Sequence, residues 1–155
     1  MDKLREKIAE AKSTLKKADH LTYITYPQVK ELKLLYLIAE NLYKTLLNGM
    51  ESVLYYERLY KRLPVIPGSF EYEVELFKDR CIDRYNIDRR FVLLIKDMKS
   101  IVDTKKKGPI EFARRDKFVL CTEDFNTRVL DLQKIKNYLA DTKEFMEKVN
   151  KVVRC

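Results

Sequence analysis

Apolar residues repeat at intervals of three and four between Pro27 and Leu63, without a break over more than four heptads. A second apolar row runs beside the first. Because so wide a stripe needs neighbours on two sides, the pattern predicts the central helix of a bundle from Pro27 to Leu63. The first row is Leu32, Leu35, Ala39, Leu42, Leu46, Gly49, Val53, Tyr56, Tyr60 and Leu63, and the second is Tyr36, Tyr43, Leu47, Met50 and Leu54.

The predicted length of this helix constrains the shape of the molecule. A helix from Pro27 to Leu63 would be roughly 55 Å long, whereas a compact chain of 155 residues has a diameter of about 40 Å. We therefore expect an elongated bundle, or a helix that bends near Gly49. Gly49 lies in the apolar row, so close approach of a neighbouring helix is a third interpretation.

A shorter apolar row predicts a first helix from Asp2 to Asp19. Its members are Leu4, Ile8, Ala11, Leu15 and Ala18. The segment Thr25–Gln28 then has the form of a capping box, with Pro27 in the first turn, where no backbone donor is needed. It predicts the start of the central helix.

Two further helices are predicted after the break from Pro64 to Ser69. Ser69 is expected to cap the third helix, whose acidic first turn suits the helix dipole. A joint at Asn86–Asp88 separates it from a fourth helix that ends at the lysines before Gly108. The apolar rows of the two helices are Val74, Phe77, Cys81 and Tyr85, then Phe91, Ile95, Met98 and Ile101.

The pattern changes from helical to strand-like after Arg115. Strand-forming residues at Phe118–Thr122 and Thr127–Leu130 flank a short turn and predict a β-hairpin, which needs the bundle beneath it for stability. Asp131 is expected to cap a last helix. The fold class is therefore all-α: an elongated up-and-down bundle of four to five helices, with a small β-hairpin before the last, in a single domain spanning residues 1–155.

Composition supports a helical, intracellular chain. It contains 3 Gly and 4 Pro, too few for a protein of many tight turns, and 36% charged residues. Its three cysteines form no C-x-x-C pair, which favours a reducing compartment. No apolar run approaches the ~18 residues that cross a membrane, and the charged N-terminus lacks a signal-peptide core. We expect a cytoplasmic protein with no membrane contact.

Residues that could carry catalysis form no convincing motif. His20 is the sole histidine, so a histidine-rich metal site is excluded, and a position at a helix end explains it. Carboxylates recur at helical spacing, notably at Asp79, Asp83 and Glu144, and solvated helix faces explain them. The sequence contains no phosphate-binding loop and no nucleophile elbow. We therefore predict no catalytic residues, metal or cofactor.

A basic segment is the strongest functional feature. The chain has a net charge of +8, and six cations fall within 13 residues. Such a cluster suits phosphate contacts, although cations at the end of a helix are also favoured by its dipole. The predicted nucleic-acid-binding residues are Lys105, Lys106, Lys107, Arg114, Arg115 and Lys117.

The Tyr-rich end of the central helix (Val53–Arg62), the strand Phe118–Thr122 and the final helix together resemble HEPN-like helical bundles. The layout is similar to that of small uncharacterised archaeal proteins. HEPN ribonucleases carry an Arg four to six residues before a His, but Ser13–Lys16, ahead of His20, contains no Arg. The resemblance implies a non-cleaving member that acts as a binding or partner subunit.

The leading hypothesis is a non-enzymatic module that contacts RNA or an acidic protein surface through the basic segment. The alternative is a helical enzyme that acts on nucleotides through a metal-binding acidic site. Self-association through surface heptads, giving a homo-oligomer, is a third hypothesis.

Overall fold

The computed structural model describes residues 2–60, 63, 65–66 and 68–153. Helices surround a long central helix, and a small antiparallel sheet lies before the last helix. The helices are α1 (Asp2–His20), α2 (Tyr26–Val29), α3 (Lys33–Leu59), α4 (Phe70–Arg80), α5 (Arg90–Lys106) and α6 (Leu132–Val152), with a π-helical turn at Leu21–Thr25. The strands are β1 (Ile110–Arg114), β2 (Lys117–Cys121) and β3 (Thr127–Leu130). Among the residues described, no helix is both long and apolar enough to cross a membrane.

The predicted end of the first helix at Asp19 is wrong, because helical backbone continues from α1 through the π-turn into α2. In the π-turn, the Tyr26 N–H donates to the carbonyl of Leu21, five residues back. This wider turn lets the helix continue through Pro27, which has no backbone N–H to donate. Thr25 makes no capping hydrogen bond. The chain instead leaves the helix at Lys30, which adopts the left-handed conformation and donates its N–H to Tyr26.

The central helix therefore begins at Lys33 and ends at Leu59, not at Pro27 and Leu63. At ~1.5 Å per residue it is roughly 40 Å long, which removes the conflict with a compact chain. It packs against α1, α4, α5 and α6. Both predicted apolar rows contribute fully buried residues, including Leu35, Leu42, Leu46, Met50 and Leu54.

Gly49 marks a close approach between α3 and α6. A Cβ atom added there would lie 2.8 Å from the Met146 sulfur and 3.0 Å from the Phe145 ring. Of the interpretations drawn from sequence, close approach is therefore the one that the contacts support.

Of the two N-caps expected from the sequence at the later helices, the one at Asp131 is confirmed and the one at Ser69 is not. Asp131 caps α6 by accepting a hydrogen bond from the Lys134 N–H at 2.8 Å. Ser69 occupies the N-cap position of α4, although its hydroxyl donates to Glu71 and caps no backbone group.

The sheet contains three strands in the order β1-β2-β3. The predicted hairpin corresponds to β2 and β3, and β1 was missed. Phe118, Leu120 and Leu130 face the bundle and belong to its core. One sheet face therefore rests on the bundle, while Phe112 on β1 stays exposed.

Candidate nucleic-acid interface

Strand β1 separates the six predicted cations into two groups. Three lie at the end of α5, before the strand, and three lie at the turn after it. Because β1 spans five residues at ~3.3 Å each, the groups are roughly 15 Å apart along the chain. They are two local clusters with different neighbours.

The lysines at the end of α5 partly form contacts within the protein. Lys105 is half-buried, forms an ion pair with Glu111 and lies 5.5 Å from the centre of the Tyr36 ring. Lys106 is exposed. Lys107 lines a groove of about 710 Å³ whose walls also carry Glu71, Glu75 and Asp103 alongside other lysines. This end of α5 is thus electrostatically mixed.

The other group sits at the tip of the β1–β2 hairpin. Arg114 and Lys117 form the last cross-strand pair, and Arg115 and Asp116 form the two-residue turn. All four residues are exposed. Arg115 has φ of 60°, a left-handed conformation that hairpin turns usually assign to Gly or Asn. A short turn therefore holds a guanidinium group out from the sheet.

A groove of about 730 Å³ lies beside this tip, and we call it the turn groove. It is lined by Tyr26, Pro27, Lys30, Leu32, Arg115, Asp116, Leu132 and Lys136. Three of these residues are cationic and one is anionic, so the groove is positive. Burial and the nearby Asp116 carboxylate raise the pKa of Tyr26, which keeps its hydroxyl protonated.

The positive surface continues from the groove along α6. Tyr23 is 49% exposed, and the ammonium groups of Lys136 and Lys143 lie 5.4 and 5.8 Å from the centre of its ring. Tyr23 and Tyr26 are three residues apart near the end of the same helical segment. Two aromatic rings are therefore interspersed with cations. Lys136 contacts the Tyr23 ring and also lines the turn groove together with Tyr26.

Sequence reasoning predicted Arg114, Arg115 and Lys117 as binding residues and did not include the other residues that line this surface. Lys30 and Lys136 are isolated in sequence and meet the hairpin tip only in the fold. Tyr26 was interpreted as part of a helix start. No local signal would have found them, because three distant segments supply the groove.

The carboxylates that could have formed an acidic site are dispersed or paired. Arg90 bonds Asp141 at 3.0 Å and also contacts Glu144 and Asp88. Within the part of the chain that the structure describes, no group of three or more His, Cys, Asp or Glu residues could hold a metal ion. His20 is an exposed residue where α1 continues into the π-turn, not at the helix end expected from the sequence.

Comparison with protein families, curated proteins and solved structures gave no match. The resemblance to HEPN-like bundles therefore stays a prediction.

Proposed function

We propose that the protein is a non-enzymatic binding module that holds single-stranded RNA along the turn groove and the adjoining Tyr23 surface. The observation that carries this proposal is the meeting of Lys30, Arg115 and Lys136 around Tyr26 in one open groove. Cations beside a strand of phosphates supply affinity without reading sequence.

Aromatic rings distinguish RNA from an acidic protein surface as the favoured ligand. Proteins that bind single strands combine a positive groove with side chains on which bases stack. Tyr23 is exposed and Tyr26 lines the groove, so both elements are present within one surface. An acidic protein would use the cations and leave the rings without a specific role.

The proposal predicts a difference between two variants that each remove two positive charges. Arg114→Gln with Arg115→Gln removes cations at the turn, and Lys106→Gln with Lys107→Gln removes exposed cations at the end of α5. Fluorescence anisotropy with labelled, mixed-sequence single-stranded RNA would measure both. We expect the turn variant to bind RNA roughly tenfold more weakly, because it loses about two phosphate interactions worth ~0.7 kcal/mol each. The affinity of the α5 variant should change by less than about twofold.

A second measurement tests the interaction with phosphates directly. The slope of log affinity against log salt concentration should fall by roughly 0.7 for each phosphate that the turn variant no longer neutralises. Absence of binding at low salt, or equal weakening by both variants, would contradict the proposal. Binding of polyglutamate as tight as that of RNA would favour an acidic protein partner.

A further inference from the structure

The outer face of the sheet carries an apolar row that ends abruptly at β1. Phe112, Val119 and Val129 lie directly opposite one another across the three strands, on the face turned away from the core. Val119, in the middle strand, is 6% exposed, whereas Phe112, at the edge, is 44% exposed. Ile110, on the same face of β1, is 69% exposed.

The outer edge of β1 also has backbone groups available for pairing. Arg114 and Lys117 close a two-residue turn, and such a closing pair exchanges both of its backbone hydrogen bonds. Alternation along the strand then directs the N–H and C=O groups of Glu111 and Ala113 away from β2. In the described chain, β1 pairs with β2 and with no other strand.

This edge lacks several of the common protections against pairing. Natural edge strands often carry Lys, Pro or a bulge, and β1 has none of these within Ile110–Arg114. The charge of Glu111 is compensated by Lys105. Residues 29–33 line an open groove of about 340 Å³ together with Glu111, Phe112 and Ala113 of β1.

We propose that β1 pairs with β1 of a second copy of this chain, antiparallel about a two-fold axis at Phe112. A strand that faces itself must pair symmetrically. In this register, Glu111 exchanges hydrogen bonds with Ala113 of the second copy, and all the outward backbone groups of both residues are used. Phe112 meets its own counterpart, and the apolar row runs on through both sheets.

The neighbouring symmetric registers are less favourable. Centring the pair on Glu111 would place two carboxylates opposite each other and would require an N–H from Pro109, which has none. Centring it on Ala113 would require extended backbone at Arg115, whose φ is 60°. In the register at Phe112, Arg114 lies opposite Ile110 of the second copy, so no like charges are directly opposed.

Sedimentation equilibrium at increasing protein concentration tests the pairing. The wild-type average mass should rise towards twice the chain mass. Ala113→Pro removes one outward N–H per copy without changing charge, and Pro is tolerated at an edge position whose N–H faces solvent. This variant should remain monomeric, whereas the control Ala113→Ser, which keeps the N–H, should associate like wild type. Hydrogen exchange at β2 would verify that the sheet is intact.

Cross-linking tests the register. The background is a chain with Cys121→Ser and Cys155→Ser. Phe112→Cys should form an intermolecular disulfide, because non-hydrogen-bonded antiparallel pairs have Cα atoms about 4.5 Å apart. Ile110→Cys should not, because its counterpart would be displaced by roughly 13 Å along the strand.

Three results would overturn the proposal. One is a single-chain mass at every concentration, and another is equal cross-linking of the two cysteine variants. The third is a monomeric protein in which a synthetic peptide of alternating valine and glutamate slows hydrogen exchange at the β1 amides. That result would assign the edge to an acidic strand of another protein. None of these measurements depends on RNA binding, so the two proposals can fail separately.

Discussion

Glu73 is a carboxyl group in the interior, where α1, α3 and α4 meet. It is 5% exposed, and burial together with a hydrogen bond to Glu51 raises its pKa to about 8. Lys7 bonds Glu51 at 2.9 Å and partly opposes this shift. At neutral pH, Glu73 therefore keeps its proton and donates a hydrogen bond to the Glu51 carboxylate.

This arrangement predicts a loss of stability with rising pH. The unfolded chain releases the Glu73 proton above about pH 4.5, whereas the folded chain retains it to about pH 8. Between these values the unfolded state binds fewer protons, so the free energy of unfolding must fall as pH rises. We expect its Glu73 contribution to decrease by roughly 2–3 kcal/mol from about pH 5.5 to about pH 8.

Urea unfolding of Glu73→Gln measures this contribution, because an amide donates the same hydrogen bond at every pH. The difference in unfolding free energy between the variant and wild type should grow across this range and level off above it. Glu75→Gln, an exposed position on the same helix, is the control. Parallel pH profiles for wild type and Glu73→Gln would be inconsistent with a buried, protonated Glu73.

Arg115 combines an unfavourable backbone conformation with a position in the turn groove. Arg115→Gly should stabilise the fold by about 0.5–1 kcal/mol, because glycine adopts positive φ without steric cost. The same change should weaken RNA binding, because it removes a groove cation. Thermal unfolding and anisotropy on the same sample would measure the two effects. A variant that is stabilised yet binds RNA like wild type would remove Arg115 from the proposed interface.

Among the structural elements, the helices with strong periodicity were predicted well. The first apolar row is buried from Leu35 to Val53, as the pattern indicated, because a wide apolar stripe leaves few alternatives. The boundary near Pro27 was wrong for a physical reason. Proline is compatible both with a first helical turn and with a helix that widens into a π-turn, and only the path of the chain distinguishes them.

Strand β1 was missed because the charged residues on both sides of it led us to interpret the whole segment as a basic binding site. Ile110 and Phe112 alternate with Glu111 and Ala113, and a two-residue turn follows. This is the pattern of a short strand, but its apolar residues face solvent and not the core. In β2 the apolar residues are buried, and a run of apolar residues makes the strand recognisable in the sequence. In β1 most residues are exposed, so the sequence has no such run.

The packing of α3 against α6 gives a prediction at the level of helix pairs. Gly49→Ala should destabilise the protein by about 1–2 kcal/mol. Overpacking against Phe145 and Met146 typically costs about 1–3 kcal/mol, and the higher helix propensity of alanine offsets part of it. In a Met146→Ala background the same substitution should be neutral or stabilising, because the sulfur atom 2.8 Å from the added Cβ is absent. Urea unfolding of the four proteins would measure the coupling, and additive effects would argue against a steric clash as the cause.

At the scale of the whole molecule, the candidate RNA surface exists only as a product of the fold. The end of α2, the hairpin tip and the start of α6 each contribute one cation to the turn groove. Clustering in the sequence included Arg115, which lines the groove, but it also grouped that residue with lysines at the far end of β1. Charge density along a chain shows where cations are plentiful, while tertiary structure determines which of them share a surface.

The net charge of +8 predicts that the two proposed assemblies respond to salt in opposite directions. RNA binding releases counterions and should weaken by at least tenfold between about 50 and 300 mM KCl. Self-association brings two positive chains together, so screening should strengthen it severalfold over the same range.

Anisotropy with RNA and sedimentation of the free protein, performed in the same buffers, would measure both responses. The Arg114→Gln, Arg115→Gln variant provides the control: removing two positive charges should flatten the salt dependence of RNA binding and favour dimers at low salt. If self-association instead weakened with salt, attraction between opposite charges would have to hold the copies together. Backbone pairing and apolar packing at β1 could not then be its main source.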